Sequence, residues 1–213
     1  MKNKKNIVHF LIAGLLLLSY NNIIASENEK FKALGGSIFV GHGLLTENIS
    51  EHFTDPFFFG LNVDILRRKM VMQIDCSMGF GKTKKAMEFP NELEWAKNKT
   101  ALHLMVGGNL GYRLINTEGL MLVPLAGIGV HAITSTFASS DESINEPLLP
   151  YYKVGCYIDI KSLKFFKNND SNSYTCLRLG FGINSQIGTP KYESFYQGRM
   201  IYFTVGMGGL FRE

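Results

Sequence analysis

The sequence predicts an all-β fold: an eight-stranded antiparallel up-and-down transmembrane β-barrel. Three observations predict it. From about residue 33 to the C-terminus, apolar residues alternate with polar or Gly residues in eight consecutive stretches. The connections between those stretches alternate between short and long. A segment with the character of an export signal precedes them. A strand has period two, so alternation gives it one greasy and one polar face. Eight such strands behind an export signal are the pattern of a closed barrel in an outer membrane.

Lys2, Lys4 and Lys5 precede a nearly unbroken apolar run from Ile7 to Leu18, and Ala25 stands before Ser26. A positive end, a short apolar core and a small residue at the cut describe a secretory signal peptide. The run is shorter than the ~20 residues a spanning helix needs. Cleavage after Ala25 gives a signal peptide at 1–25 and one barrel domain at 26–213. Losing Lys2, Lys4 and Lys5 brings the formal charge of +4 close to neutral, so nothing points to nucleic acid as a partner.

The first strand is predicted from Leu34 to Gly43 and the second from Phe57 to Arg67. On the second, Phe57, Phe59, Leu61, Val63 and Ile65 share one parity, and Phe58, Gly60, Asn62 and Asp64 the other. The third runs from Met70 to Phe80, the fourth from Ala101 to Ile115 and the fifth from Leu120 to Phe137. The sixth runs from Tyr151 to Ile160, the seventh from Tyr174 to Gln186 and the eighth from Met200 to Phe211. Arg68-Lys69 and Thr117-Glu118-Gly119 are short connections, whereas 46–56, 84–99, 138–150 and 188–199 are long and polar. In outer-membrane barrels the short turns face the periplasm. Lys161 to Ser173 is longer than that rule expects. Both termini fall at the periplasmic end.

Turn lengths check the face assignments. Inward residues are even-numbered on strand two (Asn62, Asp64) and odd-numbered on strand three (Gln73, Asp75, Ser77). Facing positions then sum to an odd number, which demands an even loop, and places Phe57 opposite Phe80. Arg68-Lys69 meets that demand, although it lacks Asn-Gly chemistry and leaves room for a wider turn. Strands four and five both carry odd-numbered inward residues (Asn109, Arg113; Gly127, His131), which demands an odd loop. Thr117-Glu118-Gly119 provides three residues, with Gly119 at the bulge position where φ is positive.

The outward face carries almost no charge, as in Met72, Ile74, Cys76, Met78 and Phe80 on strand three. A charge at mid-bilayer costs about 2–4 kcal/mol, so this absence is informative. The inward face carries Asn62, Asp64, Gln73, Asp75, Asn109, Arg113, Lys153, Asp159, Arg178 and Asn184. Both signs are present. An eight-stranded interior barely holds its own side chains, so these residues are expected to form a buried network that plugs the lumen. Phe57 to Phe59, Phe137, Tyr151 and Tyr152 mark an outer aromatic belt, and Tyr112, Tyr174 and Phe211 an inner one.

The chain has 22 Gly and 6 Pro, and Gly is common where sheets curl tightly. Its three cysteines leave at least one unpaired. By parity Cys76 and Cys156 point outward and Cys176 inward, so none can meet another. Their spacing matches no zinc site, and His103 and His131 read as lumen or core residues. No metal and no cofactor is expected. The Gly pairs sit on strands and precede no helix, so they are not a dinucleotide fingerprint.

The alternation, the loop lengths and the last strand together resemble the small eight-stranded outer-membrane barrels of Gram-negative bacteria, the class of the OmpA transmembrane domain and OmpX. Val205, Met207, Gly209 and Phe211 alternate into a late aromatic. That looks like the C-terminal signal read by the barrel-assembly machinery, although Arg212 and Glu213 follow it here. The resemblance implies a home in the outer membrane, with its lipid and that machinery as partners.

The leading functional expectation is a non-enzymatic barrel, structural, adhesive or accessory to an envelope complex. Its extracellular loops would be the working surface, with Phe89, Trp95, Tyr192, Phe195 and Tyr196 as contact candidates for a protein partner. A lipid-modifying enzyme is the alternative, with His42, Ser50, His52, Asp55, Ser139, Ser140, Asp141 and Ser185 near the outer rim. A nucleophile there needs a base within hydrogen-bond reach. A narrow pore and a soluble secreted lipocalin-like barrel complete the alternatives.

Overall fold

A computed structural model describes residues 33–88, 94–135, 148–161, 174–187 and 193–212. The expected signal peptide and the side chains of Phe89 and Tyr192 lie outside the described residues. Eight long strands follow one another: β1 (Ala33–Thr46), β2 (Phe57–Arg67), β3 (Met70–Lys82), β4 (Thr100–Tyr112), β5 (Leu120–Ser135), β6 (Leu148–Ile160), β7 (Tyr174–Gln186) and β8 (Arg199–Arg212). Each is antiparallel to the next, and β8 returns to pair with β1 from Ala33↔Arg212 to Thr46↔Arg199. The sheet is a closed eight-stranded all-antiparallel barrel. Closure satisfies every backbone ladder within the sheet, which is what a strand needs inside lipid.

The faces follow the sequence parity. Along β3, Val71, Gln73, Asp75 and Ser77 are buried, and Met72, Ile74 and Cys76 are exposed. Ile38 and Ile128 are 75% and 73% exposed on the outside of the barrel. An apolar exterior this continuous is unstable in water and suited to lipid. No helix among the described residues is long and apolar enough to cross a membrane.

Inside, the lumen is layered. At the short-turn end Ala33, Leu66, Val71, Met121, Val123, Leu125, Tyr157 and Leu210 form an apolar floor. At the long-loop end a second apolar cluster closes the mouth, and the polar side chains lie between. Glycine pairs make room for the inward tyrosines. An added Cβ on Gly155 would lie 2.6 Å from the Tyr202 hydroxyl, and one on its cross-strand partner Gly182 2.5 Å. Tyr151 packs in the same way over the Gly107–Gly129 pair. Tyr151 therefore fills the lumen and does not join the outer belt expected of it, because odd positions of β6 face inward. Tyr174 likewise faces inward, half-buried on even-numbered β7 positions.

Both checked turns keep the expected parity but differ in detail. Phe57 faces Phe80, and Asn62 faces Asp75. The Arg68-Lys69 turn is tight, since Arg67 still pairs with Met70. Arg68 takes φ 52° at the first central position, a region that costs a non-Gly residue about 1–2 kcal/mol. Arg68→Gly is expected to raise unfolding stability by up to about 1 kcal/mol once glycine's own entropy cost is counted. Urea titration in detergent micelles reads this directly, and a lower midpoint would show that the turn is not strained.

The second turn corrects the expectation. Asn109 faces Gly127, but Asn116 faces Met121, so the register shifts by one between them. The extra residue sits between Tyr112 and Ile115, where β4 breaks before the short strand Ile115–Asn116. The turn itself is the two-residue Glu118-Gly119, with Thr117 N–H donating to Leu120 O at 2.8 Å. No described glycine has positive φ. A bulge placed upstream absorbs the odd residue that parity demanded, so Gly119 need not.

Candidate functional site: the lumen network and the capped mouth

Arg178, inward on β7, organises the floor side of the network. Its Nε and Nη2 donate to the two oxygens of Asp159 at 2.6 and 2.8 Å. Its Nη1 donates to Asp64 Oδ2 at 2.6 Å and to Asn62 Oδ1 at 2.9 Å. The guanidinium lies 3.9 Å from the centroid of the Tyr157 ring. Ser37 on β1 also donates to Asn62 Oδ1, at 3.1 Å. Gln73 Nε2 donates to Asp64 Oδ1 at 2.8 Å and links this group to the rest. Asn109 Nδ2 donates to Gln73 Oε1 at 3.3 Å and to Asp75 Oδ2 at 2.5 Å. Lys153 Nζ donates to the same Asp75 oxygen at 2.7 Å. One connected chain thus runs from β6 and β7 across to β2, β3 and β4. Arg113 lies one residue beyond β4, half-buried, with its N–H on Lys69 O at 2.7 Å.

The chemistry of this arrangement is closure. Three carboxylates and two cations of the network are held by one another, beside a lumen pocket of about 50 Å³ lined by Asn62, Asp75, Lys153, Arg178 and Asn184 among others. That is room for a few water molecules at ~10–15 Å³ each. The apolar exterior is the reverse of a lipocalin-like barrel, whose outside is wet.

Above the network, His103 on β4 and His131 on β5 are buried side by side. The Gln186 amide approaches His131 Nδ1 at 2.5 Å, and His131 Nε2 lies 3.1 Å from His103 Nδ1. Gln186, His131 and His103 thus form one buried hydrogen-bonded row. Phe53 presses on the His103 ring at a centroid distance of 5.9 Å. No group of three metal-ligating side chains occurs among the described residues.

The mouth is capped from two long loops and the 83–99 connection. The first loop contains the helix α1 (Asn48–His52), and the last contains α2 (Glu193–Tyr196). Phe53 is the hub: it stacks on Tyr196 at 5.7 Å and meets Trp95 edge-on at 6.1 Å. Ile49 N–H donates to Gln197 O at 3.1 Å, joining the two loops. Trp95 and Tyr196 are 2% and 1% exposed. This corrects their reading as contact candidates: the open barrel mouth is an apolar hole, and burying them there outweighs presenting them to a partner. Phe195 is half-buried beside His52, with ring centroids 5.1 Å apart.

The candidates for lipid chemistry are dispersed. Ser50 Oγ donates to Glu47 O at 2.6 Å, and His52 Nδ1 sits 2.9 Å from Asn48 O. Asp55 Oδ1 accepts from Leu45 N–H at 2.8 Å. His42 points outward between Phe57 and Phe203 on the neighbouring strands. Ser185 is buried at the outer end of β7. Ser139, Ser140 and Asp141 lie outside the described residues. Each described candidate thus serves its own local turn or strand. All three cysteines are free, with Cys76 exposed, Cys156 half-buried and Cys176 buried.

No protein-family model matches this sequence, and no curated protein sequence matches it. Solved structures do. OprG of Pseudomonas aeruginosa, an outer membrane protein, superposes with a TM-score of 0.51 at 8% identity, over 87% of this chain and 99% of that one. Neisserial surface protein A gives a TM-score of 0.49 at 10% identity, over 85% and 99%. Ail, the attachment invasion locus protein of Yersinia pestis, gives 0.43 at 12%, over 85% and 100%. The fold is that of the small outer-membrane β-barrels.

Within that fold, sequence reasoning passed over the two residues that build the cap. Ile49 and Phe53 stand four apart in an otherwise polar loop, the spacing of one helical face. Gln186, which hydrogen-bonds the histidine pair, carries in the sequence only the signal of a strand end.

Proposed function

We propose that the chain is a non-enzymatic bacterial outer-membrane barrel, exported by its N-terminal signal, with a closed lumen and a working surface at its long-loop end. The ion-paired network across the lumen carries this reading. It fills the path an ion would take, and the cap of Phe53, Trp95 and Tyr196 covers it again. The role is structural or adhesive, through contacts made by the outside of the cap and its flanking loops. The dispersal of Ser50, His52 and Asp55 weighs against the lipid-modifying alternative.

Cell fractionation with a gel run before and after boiling tests the address. The expected result is heat-modifiable migration from the outer-membrane fraction. A soluble chain without that shift sinks the reading. Planar-bilayer recording tests the closure: the folded barrel is expected to give no stepwise conductance, and regular steps would replace a plug with a pore.

A further inference from the structure

The two ends of the barrel differ in charge. Around the β2–β3 turn, Arg67, Arg68 and Lys69 are exposed. Lys161 lies at the foot of β6, held by Asn116 Oδ1 and Thr117 O at 2.7 Å each. Glu118 is the only exposed acid at this end among the described residues. At the long-loop end the signs are interspersed: Glu47 pairs with Arg199 at 3.3 Å and Glu51 with Lys85 at 3.5 Å.

The basic corner adjoins an apolar channel. Tyr112 points outward on β4 across from Met70, which pairs with Arg67 on its other side. The Lys69 ammonium lies 6.0 Å from the Tyr112 ring centroid. Up the same outward row come Leu110, Gly108 and Val106. A Cβ at Gly108 would meet nothing within 4 Å. Ile74 and Ile128 flank Gly108 on the adjacent strands, 60% and 73% exposed. The outer wall therefore has a dent one side chain deep at Gly108, on the row that passes Leu110 and ends at Tyr112 beside the cations.

We propose that the corner of Arg67, Arg68, Lys69 and Tyr112 binds the headgroup of an anionic phospholipid, with an acyl chain lying along Leu110 and Gly108. This rests on the membrane-barrel reading. Guanidinium groups match phosphate oxygens in geometry as well as charge. Basic side chains next to a bilayer attract anionic lipid, and a tyrosine at that level suits the interface.

Native mass spectrometry of the full barrel in detergent, with phosphatidylglycerol and phosphatidylcholine of equal chain length, tests it. Phosphatidylglycerol is expected to be retained at least about fivefold better, the effect of one basic contact at a membrane surface. The preference should vanish in Arg67→Gln/Arg68→Gln/Lys69→Gln, whereas Gly108→Leu should lower the retention of both lipids. It should survive Lys82→Gln/Lys85→Gln/Lys97→Gln at the other end. Equal loss in both triple variants, or displacement by inorganic phosphate, overturns the proposal. If the first triple variant does not fold, the Gly108→Leu result and the salt dependence of the preference decide. A heat-modifiable barrel with no preference overturns this proposal alone. A wild-type chain that never becomes heat-modifiable overturns the membrane reading and this proposal together.

Discussion

Arg178→Ala is expected to lower unfolding stability by about 3–5 kcal/mol, the cost of breaking a buried ion pair from one side. Asp64 and Asp159 are each 1% exposed. Without the guanidinium their carboxylates lose the cation that pairs with both, and Asn62 Oδ1 loses one of its two donors. The Tyr157 ring loses the planar group packed on it. The measurement is a urea titration of refolded barrel in micelles, followed by the emission of Trp95, the only tryptophan. A triple variant with Arg178→Met, Asp64→Asn and Asp159→Asn should recover much of the loss, because it removes the charges together. A change below about 1 kcal/mol in Arg178→Ala would mean that the network is incidental to stability.

Phe53→Ala is the other large effect, also about 3–5 kcal/mol by the usual cost of truncating a buried aromatic. Phe53 touches Trp95, Tyr196 and His103, which come from three different parts of the chain. Removing it opens a cavity at their meeting point and exposes the ring of Trp95. The expected signature is a red-shifted emission with faster proteolysis of the long loops, while heat-modifiable migration persists. The distinction matters because the cap hangs on loops and the wall on ladders closed around the barrel. Phe195→Ala, at a half-buried ring, should shift the same readouts much less. If Phe53→Ala leaves emission and proteolysis unchanged, the cap is not held by this hub.

Strand positions were legible to within a few residues because the barrel wall sees two solvents. Each wall residue faces either lipid or lumen, so Ile74 and Asp75 report their sides by chemistry alone. The registers of β2 with β3, and of β4 with β5 at mid-strand, followed from parity. The position of the bulge did not, because one extra residue satisfies the same parity at Gly119 or at 112–114. The network members were legible as inward polar residues, but not their partners. Arg178 is far in sequence from Asn62 and Asp64, and only the closing of β8 on β1 brings β7 across the lumen from β2.

The cap marks the limit most clearly. Trp95 and Tyr196 lie in polar loops, and nothing in their local sequence distinguishes a buried aromatic from an exposed one. By itself the sequence determined the architecture, the two faces and which side chains point inward, because alternation is a local property read one strand at a time. Only the tertiary structure decided how the lumen and its mouth are filled, since that depends on side chains from distant strands and loops meeting over a hole that no single segment encodes.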